Sequence, residues 1–213
     1  MDLIEQTREY VSEILADEPS THDMSHIERV EDVCMRIREQ EGGDELVLRL
    51  AALLHDVGII KEHEQGGDHA QYSAEIAQEF LTVAGADKDL TEHVTACIRS
   101  HRFSSGLEAH TLEARILQDA DRIDALGAVG IFRSLVSMGA LRAMRSTIGT
   151  VKERSMNAYN EDPLEGFYEY MNNKPFKILE RLNSGTAREI ARERLKLMHV
   201  YLNALQEETC YIK

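Results

Sequence analysis

The chain has few cysteines, and none of them are paired in sequence. Cys34, Cys97 and Cys210 are odd in number and far apart, with no CxxC pair, which speaks against a zinc ribbon and a disulfide framework. Cys34 and Cys97 fall in apolar helical contexts, so buried, reduced thiols are expected. No run approaches the roughly 18 apolar residues of a membrane span. The opening MDLIEQTREY has no apolar signal segment. Both absences lead to the expectation of a cytoplasmic protein with no membrane partner. Basic residues are scarce, 24 against 38 acidic, for a net charge of −14. That balance argues against broad nucleic-acid binding, because phosphates would be repelled. It leaves room for one nucleotide in a locally basic or metal-bearing pocket. No stretch joins β-branched residues to strict alternation, and there is no internal repeat.

What the chain has instead is helical period. With 213 residues and 43% apolar content it is long enough for one globular domain with a substantial core. Helices are predicted over 3–16, 23–40 with Asp23 as N-cap, 44–57, 69–84, 88–101, 111–127 and on to about 145, and 186–207. Glycines mark 58–68 as a loop, 102–110 reads as another, and Asp162–Pro163 marks a later helix start. The predicted fold is all-α, with about nine to eleven helices and residues 146–213 packed on the side of the core.

Chemistry gathers at a few positions. The apolar run LVLRLAALL stops at His55–Asp56, and Gly58 behind them is a candidate helix terminator. His26 lies three residues before Arg29, on an adjoining helical face. In ILQDADRIDAL, helical rotation from Leu117 puts Asp121 about 40° and Asp124 about 20° away, but Asp119 about 160° away. Asp119 should therefore face solvent. Asp121 and Asp124 should face inward, which is costly unless they are paired or bind a cation.

Taken together, HDMSHIERV, LLHDVG and DADRIDALGAVGI, in that order, resemble the HD-domain phosphohydrolase superfamily over roughly residues 20–135. The resemblance implies an HD-type helical bundle, here one domain of residues 1–213 with additional C-terminal helices. It further implies a metal held by His26, His55, Asp56 and Asp121, with Asp124 and His22 behind them. Asp56, Asp121 and His101 are the candidate catalytic residues. Arg29, Lys61, His69, Arg102 and Arg122 are the candidates for substrate phosphate. The lysine is displaced, HDVGIIK rather than HDIGK, and neither an HHE nor a GYP motif occurs. Those departures count against the cyclic-dinucleotide branch.

Two imidazoles and two carboxylates form a mixed N/O donor set suited to one divalent ion: Mn, Fe, Mg, Ni, Co or Zn. A second ion is left open by His69 and His101. Such an ion acidifies water and neutralises phosphate charge. The expected activity is hydrolysis of a nucleotide phosphomonoester or phosphoanhydride. Two other readings stand beside it. One is a nucleotide- or alarmone-binding regulatory module without turnover, and the other a di-iron oxygenase on the same scaffold. A homodimer is open through the final helix.

Overall fold

The computed structural model describes residues 2–16, 18, 21–102, 108–148 and 163–210, with 140–148 and Cys210 described by backbone alone. Among them are ten α-helices and one 3-10 helix, and no strand. The helices are α1 (Leu3–Ile14), α2 (Met24–Glu41), α3 (Glu45–Leu54), α4 (Ile59–Gln65), α5 (His69–Val83), α6 (Lys88–His101), α7 (Leu112–Asp124), α8 (Gly127–Ile148), α9 (Pro163–Asn173) and α10 (Gly185–Cys210). The 3-10 helix runs Pro175–Arg181. The chain forms two compact units, one of residues 1–121 with 183–187, the other of 122–182 with 188–213.

The first unit is built around α3, which packs on α1, α2, α5 and α6. Its run is apolar almost all round, and Val47, Leu48, Leu50, Ala51, Ala52, Leu53 and Leu54 are all buried. A helix without a polar face belongs at the centre of a bundle. Side-chain caps set the flanking elements. The carboxylates of Asp2, Asp23, Asp44, Asp68 and Asp87 each accept a backbone N–H in the first turn that follows. Gly42, at φ +83°, ends α2 in a conformation that side chains disfavour. Cys34 and Cys97 are buried free thiols, and burial pushes Cys97 up to about 12, so neither is poised to react.

Several expectations need correction. The segment 58–68 contains α4, a helix too short and too polar for periodicity to show. The apolar helix ends at Leu54 rather than at 57, and His55 is its C-cap. Gly58 does not end that helix by a left-handed turn, since its φ is −87°. A Cβ there would stand 2.5 Å from Ser73 N and 2.7 Å from His69 O. Glycine lets α5 press against this turn, and Ser73 Oγ accepts the Gly58 N–H at 2.9 Å. Asp119 is buried, not solvent-facing. Its carboxylate accepts the backbone N–H groups of Asn183 and Ser184 at 2.8 and 2.9 Å, because residues 183–187 lie over the α7 face expected to be wet.

In the second unit, α8 begins at Gly127, and Gly130 lies inside it. Asp124 is fully buried and takes a hydrogen bond from Arg133. Helix α9 starts at Pro163. Asp162, expected at its start, and the loop residues 103–107 lie outside the described residues.

Candidate metal centre

His26 is the third residue of α2, and its backbone N–H is held by the Asp23 cap at 3.0 Å. His55 closes α3, and its Nδ1 lies 2.7 Å from the Ala52 carbonyl. A carbonyl only accepts, so the ring proton belongs on Nδ1 and Nε2 keeps a lone pair. His101, the last residue of α6, repeats the device with its Nδ1 2.7 Å from Ile98 O. His69, the first residue of α5, has Nδ1 2.5 Å from Glu62 Oε2.

All four imidazoles converge on one carboxylate. His26 Nε2 and His55 Nε2 are 3.2 Å apart, and each is 3.4 Å from Asp56 Oδ2. On the other oxygen, Oδ1, stand His69 Nε2 at 3.4 Å and His101 Nε2 at 3.5 Å. Asp121 joins from α7, its Oδ1 3.6 Å from His26 Nε2, with 29% of the side chain exposed. The donor atoms of His26, His55 and Asp56 lie within 4.8 Å of one another, as do those of Asp56, His69 and His101.

The electrostatics fit a cation. Burial holds His55 down to about 4, so its ring is neutral at pH 7, the form a metal requires. Burial alone would raise Asp56, but His55, His101 and His26 together hold it well below the ordinary carboxylate range. Burial opposes protonation of His101, yet the hydrogen bond and charge of Asp56 raise it. A buried carboxylate ringed by imidazole nitrogens thus draws positive charge, and a divalent ion matches this mixed donor set.

The structure brings together six of the expected residues: His26, His55, Asp56, Asp121, His69 and His101. The His22 ring stands edge-on to His26 at 5.5 Å. The cations expected to meet phosphate also have protein partners. Arg29 donates to Ser25 Oγ at 2.9 Å. Lys61 lies 3.8 Å from Glu75 and over the Tyr72 ring. Arg102 donates to Glu62 and Asp68, and Arg122 to the Arg181 carbonyl. Glu62 is the site residue that sequence reading missed. A glutamate seven residues before a histidine is a signal only once α4 is known to turn back on α5.

The fold and this cluster define an HD-domain protein, and the chain belongs to that family. The HD domain family model matches residues 24–126. YpgQ of Bacillus subtilis, a protein without an assigned function, is 30% identical over 208 residues, 96% of this chain and 92% of that one. The crystal structure of YpgQ in complex with ADP is similar at a TM-score of 0.72, with 28% identity over 96% of this chain and 97% of that chain. An HD-superfamily hydrolase from an uncultured Thermotogales bacterium is similar at 0.66, with 28% identity over 96% and 91% of the two chains. One from Bacillus thuringiensis gives 0.70, with 29% identity over 96% and 95%. This chain thus has the fold of HD-superfamily hydrolases, with His/Asp clusters of metal-ligand spacing. Among the described residues, no helix is long and apolar enough to cross a membrane.

Proposed function

We propose that the chain is a metal-dependent phosphohydrolase acting on a nucleotide, at a phosphomonoester or phosphoanhydride. The observation that carries this reading is the convergence of four buried or nearly buried imidazoles on Asp56. The ADP complex of YpgQ supports a nucleotide as ligand. His26, His55, Asp56 and Asp121 would hold the ion. When bound, it supplies Lewis acidity toward phosphate oxygen and lowers the pKa of water near it.

The chain's own groups do the rest. Asp56 keeps two acceptor oxygens on opposite sides of the cluster. Asp121, the more exposed carboxylate, would accept a proton from an incoming water. His101 and His69 line the Oδ1 side, and His101, whose protonation Asp56 favours, donates an Nε2–H to a phosphate or leaving-group oxygen when both its ring nitrogens carry protons. Lys61 and Arg29 add positive charge from α4 and α2.

The test is turnover of nucleoside mono-, di- and triphosphates with added manganese, nickel, cobalt or magnesium. Hydrolysis of at least one nucleotide is expected, with loss of roughly 100-fold or more in His55→Ala. A folded, metal-loaded protein that hydrolyses none, or full activity in His55→Ala, contradicts the proposal. A second reading follows from the same ADP complex, which concerns binding and not turnover. It is a nucleotide-binding regulatory module, and tight binding by calorimetry with no product on long incubation would select it.

A further inference from the structure

Arg102 directly follows His101 at the end of α6, and its guanidinium turns toward two other elements. One terminal nitrogen donates to Glu62 Oε1 on α4 at 2.9 Å and to Asp68 Oδ1, the N-cap of α5, at 3.0 Å. The second oxygen of Glu62 meets His69 Nδ1 at 2.5 Å. An ionised carboxylate only accepts, so this contact keeps a proton on Nδ1. Nε2 of the same ring is then turned to Asp56 Oδ1 at 3.4 Å. Of the four imidazoles, His69 is the most open, with 12% of its side chain exposed against 0–2% for His26, His55 and His101.

We propose that Glu62 and Arg102 are positioning residues: Glu62 fixes the His69 tautomer and Arg102 anchors Glu62 and the α5 cap, so that His69 presents Nε2 to the cluster. The consequence for catalysis rests on the phosphohydrolase reading, whereas the positioning itself does not. Arg102 then contributes through His69 rather than by holding substrate phosphate. Disorienting a ring that acts mainly in the transition state lowers kcat, whereas loss of a ground-state substrate contact raises KM.

The experiment has two readouts. Long-range 1H–15N ring spectra of the metal-free protein report which nitrogen of His69 carries the proton. The proton should sit on Nδ1 in the wild type and in Glu62→Gln, whose amide oxygen still accepts, and should move toward Nε2 in Glu62→Ala. Manganese-dependent turnover should fall about 10- to 100-fold in kcat for Glu62→Ala and Arg102→Ala, with KM within about two-fold, and recover in part in Glu62→Gln. Far-UV circular dichroism checks folding. Should Glu62→Ala not fold, Arg102→Ala decides by the same two readouts, with the Nδ1 preference expected to weaken. An unchanged tautomer on loss of Glu62, or of Arg102 in that case, overturns the proposal. So does a raised KM with intact kcat in Arg102→Ala. If the wild type hydrolyses no nucleotide, the functional reading falls while the ring spectra still decide the positioning.

Discussion

Asp119 and Asp121 are two residues apart on α7 and have opposite tasks. Asp121 leans into the histidine cluster. Asp119 faces the other way and holds residues 183–184 by their backbone N–H groups and the Asn183 side chain. Burial raises its pKa, and the hydrogen bonds to Asn183 and Ser184 only partly offset that. Truncation would remove these part-buried hydrogen bonds to a carboxylate, at about 1–3 kcal/mol in all. Asp119→Ala should therefore unfold in urea at a lower midpoint by about that free energy, and an unchanged midpoint would show that the 183–187 segment does not depend on it. Rotation about a single apolar axis misread Asp119 because α7 is covered on more than one face. The cover comes from 64 residues further along the chain, and no local pattern records it.

At the scale of elements, the turn between α3 and α4 places the cluster. His55 and Asp56 occupy it, and Gly58 lets the first turn of α5 close on it, bringing in His69. Gly58→Ala should destabilise the protein by about 1–3 kcal/mol through overpacking against backbone that cannot yield cheaply. The same variant should weaken metal binding by calorimetry, since His69 O is one of the atoms displaced. The start of α10 gives a pH-dependent case. The backbone N–H and hydroxyl of Thr186 both donate to Glu41, holding its pKa below 4.5. A carboxyl depressed in the folded state stabilises above its unfolded value, and the stabilisation fades as pH falls through the folded one. The difference in thermal midpoint between wild type and Glu41→Gln should be present at pH 7 and close below about pH 4.5.

Most helices were legible, because α2, α3, α5 and α6 carry apolar periods and acidic caps, and α10 a long apolar period. Helix α4 was not: Ile59 is its only buried residue. The cluster was legible as far as His26, His55, Asp56 and Asp121, through ordered motifs. The parts played by Glu62 and Arg102 were not, since they depend on how three helix ends meet.

For the whole molecule, a net charge of −14 sets the conditions under which a metal must be found. A surface this acidic gathers divalent cations loosely and in a salt-dependent way, so bulk metal content says little about the centre. Against that background the cluster is distinctive in being buried and rich in imidazole, which favours transition metals over the oxygen-seeking magnesium and calcium. The decisive measurement is therefore a location. Anomalous diffraction from crystals grown with manganese should give its strongest peak between His26 Nε2 and His55 Nε2, in contact with Asp56 and Asp121, at about 2.0–2.4 Å from its donors. Peaks confined to surface carboxylates, with none between the two histidines, would contradict the account.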